Sequence, residues 1–283
     1  MRFALGLCAA LMTTPVVASD CFQFVEGPSD MPLKHASLSW KTLKAPTPPE
    51  AKLFNSDAKL IKFDLSAREV GIRYIAHSTY LIETDEGLQI LTDWSGDFEY
   101  LIDDIPNVIT MNHAHRTHWT PNPDPMIKYA LKGWGTGGEP AEHYLELGAS
   151  LIRNVPTDIR SYGGEPFGNS IFIFEHGGLC IGHLGHLHHE PTDEQYAAIG
   201  RLDVVMAAVD GGMTLDIEAM LRVLKRLRAR VVLPMHAFDG FTLARFLKGM
   251  EEEYEIVYDK DDEIVVSAKS LPDTPTVIVP KGL

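Results

Sequence analysis

Short apolar or alternating runs dominate the chain, and they predict strands more often than helices. Residues 60–64, 71–76, 79–84 and 88–92 are rich in Ile, Leu, Tyr and Phe. Asp85-Glu86-Gly87 supplies a hairpin turn between the last two. Residues 108–111 are apolar nearly throughout, which predicts a strand buried on both faces. A second strand series covers residues 151–155, 170–175 and 179–181, with a tight turn at His176-Gly177-Gly178. The period then changes. Thr192-Asp193-Glu194-Gln195 has the form of a capping box and Gly200 that of a stop, so a short helix lies between them. Residues 203–209 predict a strand. Ile217, Met220, Leu221, Leu224 and Leu227 follow helical spacing. A strand at residues 231–233 ends in Pro234-Met235-His236, and a helix over 241–252 and strands at 256–258 and 264–267 finish the core. No solenoid-type repeat is present. A β-rich half followed by a helix-containing half predicts two sheets face to face, with helices outside.

The ends and the composition refine this picture. Residues 1–18 begin with Arg2, continue through an apolar stretch and end in Val16-Val17-Ala18. That is the form of a secretory signal peptide, too short for a stable membrane anchor. The expected protein is exported, periplasmic if the source is Gram-negative and otherwise secreted. Cys21 and Cys180 would remain after cleavage. Such a compartment permits a disulfide, and the sequence leaves open whether the two meet. Residues 19–59 carry Pro46-Thr47-Pro48-Pro49 and predict an N-terminal arm, with residues 60–283 as one domain. A formal net charge of -14 repels phosphate backbones and anionic lipid. Neither nucleic acid nor, after cleavage, a membrane is an expected partner; a small-molecule substrate is. Gly133-Trp134-Gly135-Thr136-Gly137-Gly138 is followed by no Lys-Ser/Thr pair and predicts a loop rather than a phosphate cradle.

The chemistry concentrates at strand ends. Asn112-His113-Ala114-His115-Arg116-Thr117-His118 directly follows the apolar run at 108–111. Histidine is the commonest protein metal ligand near neutral pH, so H-x-H-x-x-H points to a metal site. A second cluster, His183, His186, His188 and His189, follows residues 179–181, and His236 closes a later strand.

In order, these pieces resemble the metallo-β-lactamase superfamily, in the branch containing ascorbate-phosphate lactonase and N-acylphosphatidylethanolamine phospholipase D. Residues 72–83 resemble its opening strand pair. Ile90-Leu91-Thr92-Asp93 resembles the next strand, whose aspartate supports the metal ligands by hydrogen bonding. Residues 112–118 resemble the H-x-H-x-D-H loop. Cys180 to His186 resembles the segment ending in a bridging aspartate, and Pro234-Met235-His236 the last ligand histidine. The resemblance covers residues 71–237 and implies an α+β fold, a four-layer αββα sandwich with metal at one edge.

The departures change the expected chemistry. Thr117 stands at the loop aspartate and His186 at the bridging one. Near Val155-Pro156-Thr157, where another histidine belongs, only Asp158 offers a ligand, and Trp94 follows Asp93 in place of a proline. A neutral imidazole offers one lone pair and does not bridge as a carboxylate does. The expectation is therefore one divalent ion rather than two. His113, His115, His186 and His236 are the first four ligand candidates, His118 a fifth and Asp158 a sixth. An imidazole set favours zinc first, with copper, nickel or iron as alternatives. His77 and Asp93 are expected to support the ligands. His118, His188 and His189 are candidate proton carriers. The leading expectation is a hydrolase of a small ester, lactone or phosphoester, with an ion-activated water as nucleophile. The alternatives are a non-catalytic exported metal-binding protein and a scaffold that binds a ligand or partner without metal.

Overall fold

The computed structural model describes residues 19–22 and 63–283, except 103, 114, 161–163 and 261–262. The signal peptide expected over 1–18 and nearly all of the arm expected over 19–59 lie outside the described residues. So do residues 60–62; Phe63 and Asp64, the described end of that expected strand, are not in a strand.

The strands are β1 (Val70–Ala76), β2 (Thr79–Thr84), β3 (Gln89–Leu91), β4 (Val108–Met111), β5 (Tyr129–Lys132), β6 (Tyr144–Leu147), β7 (Ser150–Ile159), β8 (Glu165–His176), β9 (Leu179–His183), β10 (Val204–Ala208), β11 (Val231–Met235), β12 (Glu255–Tyr258), β13 (Ile264–Val266) and β14 (Thr276–Val279). The helices are α1 (Asp193–Ile199), α2 (Ile217–Leu227) and α3 (Gly240–Met250). Strands β5, β6 and β14 are additions to the pattern-based prediction. One six-stranded sheet has the order β13-β1-β2-β3-β4-β5, and an eight-stranded sheet the order β12-β14-β11-β10-β9-β8-β7-β6.

Side chains alternate along a strand, and that alternation builds the layers. On β10, Val204, Met206 and Ala208 join Ile72, Ile82, Ile90 and Val108 between the sheets. Val205 and Ala207 face outward, onto Met220, Val223 and Leu224 of α2 and Phe246 of α3. Over the other sheet the outer layer is thinner. Leu91, Trp94, Ile109 and Met111 are covered by Phe98, Ile102, Trp119, Ile127 and Trp134, with the 3₁₀ turn Glu99–Leu101 alongside. Four layers are kept, but among the described residues the layer over this sheet is loops and one 3₁₀ turn rather than α-helix. Tyr80 Oη ties the two sheets together, donating to the Pro234 carbonyl at 2.8 Å.

The parallel strands carry the functional consequence. β3 pairs parallel with β4, and β9, β10 and β11 pair parallel with one another. Their carboxyl ends therefore open on one edge, where ligand sites of parallel sheets form. Asp93, residues 112–113 and 115–118, His186, Asp210 and His236 all follow those ends.

The predicted cap of α1 is present in full. Thr192 Oγ1 accepts from Gln195 N, and the Gln195 side chain accepts from Thr192 N. Thr192→Ala is expected to cost about 1 kcal/mol, read as a lower urea midpoint with unchanged slope. The open cysteine question is also resolved: Cys21 and Cys180 form a disulfide, with both residues fully buried.

Candidate metal centre

Four histidines converge at the edge. One ring nitrogen each from His115, His118, His186 and His236 lies within 4.8 Å of all the others. His118, His186 and His236 are buried and His115 is exposed, so the group meets solvent on one side. The backbone fixes the approach. His236 N donates to the His77 carbonyl at 2.8 Å, and His118 N to the His115 carbonyl at 2.9 Å. His77, Asp93 and His236 each hold a positive φ, at 56°, 52° and 56°. Left-handed backbone is costly for such residues, and it clusters where a site over-determines the chain.

Carboxylates orient two rings from behind. His118 Nδ1 lies 2.6 Å from Asp93 Oδ2, and His236 Nδ1 lies 2.9 Å from Asp210 Oδ2. Asn112 Nδ2 donates to the other oxygen of Asp93. Asp210 also takes the backbone N–H groups of Gly212, Met213 and Thr214 and the Thr214 hydroxyl. With Nδ1–H given to a carboxylate, each ring turns Nε2 inward as a lone pair. His118 Nε2 and His236 Nε2 are buried without a hydrogen-bond partner. A buried nitrogen left unpaired is costly, and two aimed at one point fit a cation.

The electrostatics favour neutral imidazoles. Burial lowers the pKa of His118 to about 2 and that of His77 to about 3, with the neighbouring rings adding to the effect. Burial, with Arg160 beside it, lowers His188 to about 4. His115 and His186 are lowered by burial as well. Burial raises Asp93 to about 7. Asp210 moves the other way: burial opposes ionisation, but the hydrogen bonds from His236 and Thr214 outweigh it. A positive ion in the centre would favour the carboxylate of Asp93 and the neutral rings together.

These shifts give a pH prediction. His77, His118 and His188 take up protons in the unfolded chain near 6.5 but in the folded one only near 2–4. Below about pH 6.5 the unfolded state binds more protons, so stability falls as pH drops through that window. Asp93, raised to about 7, opposes this single-handedly between about 4 and 7. The ion-free protein should therefore lose urea resistance steadily from pH 6.5 to 4. A midpoint that rises on acidification would contradict the buried neutral cluster.

Other predicted residues fall elsewhere. His113 is not in the four-ring group: its Nδ1 lies 2.6 Å from Glu165, and its ring stacks on Trp134 at 5.1 Å. Its backbone N–H bonds the Gly168 carbonyl at 2.9 Å, which turns the residue toward β8. Asp158 is not in the group either; its Oδ1 accepts from Phe167 N. His77 packs on His236 and His118, at 4.4 and 4.8 Å between ring centres, and its Nε2 is 3.2 Å from Thr117 Oγ1. His188 touches the cluster through His186 Nδ1 at 2.6 Å, whereas His189 is exposed. His118 is enclosed and bonded to Asp93, a placement suited to holding an ion rather than carrying protons to solvent. His183 lies under the site, with Nε2 2.8 Å from the Ser78 carbonyl.

A family model, described as the beta-lactamase superfamily domain, matches residues 71–236, more than half of the chain. The chain belongs to the metallo-beta-lactamase superfamily. A UPF0173 metal-dependent hydrolase of Nanoarchaeum equitans is 26% identical over 226 residues, 68% of this chain and 98% of that protein. A crystal structure from Thermotoga maritima, assigned to the Zn-dependent hydrolases of the metallo-beta-lactamase superfamily, shares the fold with a TM-score of 0.54 and 24% identity, over 75% of this chain and 98% of that one. A Parabacteroides distasonis structure assigned as a metal-dependent hydrolase gives a TM-score of 0.53 at 13% identity, over 65% and 89% of the two chains.

Within this superfamily member, Asp210 is the residue that sequence reasoning passed over. Asp210-Gly211-Gly212 has the composition of a turn, and the structure does make the turn around it. The available signal was position: Asp210 follows β10 as Asp93 follows β3 and His236 follows β11.

Proposed function

We propose that this protein is an exported metal-dependent hydrolase acting on a small ester, lactone or phosphoester. One observation carries the reading: two buried Nε2 atoms, of His118 and His236, face the group with no hydrogen-bond partner while carboxylates hold their rings from behind. His115, His118 and His236, with His186 beside them, would hold a single divalent ion, zinc first. Bound there, the ion would polarise a scissile carbonyl or phosphoryl and activate water.

The chain's own residues do the rest. Asp93 and Asp210 fix ring orientation and place two negative charges behind the ligands. His115 marks the solvent side, where a substrate would enter. Phe238, more than half exposed and 4.6 Å from the His236 ring, offers an apolar wall beside it. Trp119 and Trp134, in contact with the His113 ring, offer another. The buried Cys21–Cys180 disulfide supports export, since such bonds persist in oxidising compartments.

Metal analysis of protein purified without a histidine tag, with an esterase, lactonase and phosphodiesterase panel, tests the reading. It expects one ion per chain and turnover on one class. Tight metal with no turnover returns the binding-protein alternative, and a stable ion-free protein the scaffold.

A further inference from the structure

The hydrogen bonds around His186 constrain where its proton sits. Arg160 N–H donates to His188 Nδ1, so that nitrogen is an acceptor. A neutral His188 then carries its proton on Nε2, which lies 2.6 Å from His186 Nδ1. His186 Nδ1 must accept, and a neutral His186 carries its proton on Nε2. That N–H points at His115 Nε2, 3.2 Å away. The chain continues consistently. His115 Nε2 accepts, His115 Nδ1–H donates to Thr117 Oγ1 at 2.8 Å, and the Thr117 hydroxyl donates to His77 Nε2 at 3.2 Å. Every link has one donor and one acceptor, anchored at a backbone N–H that cannot reverse.

This sets His186 apart from its three neighbours. His118 and His236 give Nδ1–H to a carboxylate and His115 gives it to a hydroxyl, so all three offer Nε2 lone pairs. His186 has no such acceptor behind it. Its spacing of 3.2 Å from His115 suits either two ligands of one ion or an N–H···N hydrogen bond. The fixed tautomer of His188 decides for the hydrogen bond.

We propose that His186 is not a metal ligand but a hydrogen-bond donor facing the ion's open position. Three nitrogens, from His115, His118 and His236, hold the ion. When the ion takes the lone pair of His115, the Nε2–H of His186 loses its acceptor. It is then free to donate to an oxygen of a carboxylate, carbonyl or phosphoryl ligand beside the ion. A position aligned with a bridging carboxylate thus becomes a donor to anionic oxygen. His188 acts as a positioning residue that keeps the donor pointed inward.

The inference rests on the single-ion reading above, and its test separates the two. In zinc-loaded wild-type protein, long-range proton–nitrogen correlation spectra should show His186 with a protonated Nε2. His186→Phe should keep one zinc per chain with affinity within about a hundredfold, the upper size of an outer contact. Inorganic phosphate, used as the oxygen probe, should bind loaded His186→Phe at least about tenfold more weakly than loaded wild type, the loss of one hydrogen bond to a charged ligand. A His186 with Nδ1 protonated and Nε2 bound to zinc would overturn the proposal without using a variant. So would loss of zinc from His186→Phe, if circular dichroism shows it folded. Wild-type protein that binds no zinc would instead overturn the single-ion reading, and this one with it.

Discussion

Alanine at His118 or His236 is expected to abolish the proposed ion binding: metal content should fall from the single ion expected per chain to a trace, and turnover with it by more than about a hundredfold, beyond the roughly 10–100-fold of an outer contact. Both rings sit at 0% side-chain exposure, so no water-filled space lets another group take their place. His118→Ala also leaves Asp93 Oδ2, a buried acceptor, without its ring partner, at about 1–3 kcal/mol, whereas in His236→Ala the Thr214 hydroxyl still bonds Asp210 Oδ2 and the added cost is smaller. Urea unfolding in the presence of chelator separates that cost from ion loss. His118→Asn is the companion variant: its amide can reach toward Asp93 but supplies no ring nitrogen. His113→Ala and Asp158→Ala should leave metal content unchanged, since Glu165 and Phe167 are their partners. Full metal retention in His236→Ala, or loss in His113→Ala, would sink the four-ring geometry.

That contrast shows where sequence stops. The order of chemistry along the chain was legible, because strand ends announce themselves. An apolar run at residues 108–111 stops abruptly at Asn112, and the next functional loop begins there. Helices α1 and α2 were legible for local reasons, a complete capping box in one and a clean apolar stripe in the other. Which imidazoles converge was not. H-x-H-x-x-H fixes spacing along the chain, but the ring of His113 is settled by Gly168, Glu165 and Trp134, all distant in sequence. Strands β5 and β6 escaped because they are partly exposed and carry charged residues, so alternation is blurred. β14 escaped because Pro275 and Pro280 flank its four residues and look like breakers; they bound the strand instead. Asp210 reads as a turn former and is one, and its second role appears only when β10 and β11 are seen side by side.

Replacing Cys21 and Cys180 together by alanine should destabilise the protein by about 3–5 kcal/mol. The bridge closes a separation of 159 residues, and a cross-link over so long a loop removes much entropy from the unfolded chain. The native side adds to this. The bridge seats residues 19–22 on the eight-stranded sheet. There Ser19 Oγ donates to Glu175 Oε1 at 2.7 Å, and the Cys21 carbonyl accepts from Arg201 N at 2.7 Å. Phe22 lies 4.5 Å below the Arg153 guanidinium. Arg153 is 2% exposed and already divided between Glu175 and the Ala198 and Ile199 carbonyls at the end of α1. Lifting the segment wets a buried ion pair whose geometry depends on exclusion of water. For a domain of this size the loss corresponds to a melting point lower by about 10 °C. Reducing the wild type under denaturing conditions and refolding it under reductant, with both thiols free, should give a comparable fall. Cys180 is the second residue of β9, the strand that leads to His183 and His186, so the variant's metal affinity reports whether the loss stays local. A loosened N-terminal segment should leave it within about tenfold, whereas a shift of β9 should cost more. A change in unfolding free energy below about 1 kcal/mol would mean that the sheet core alone holds residues 19–22 in place.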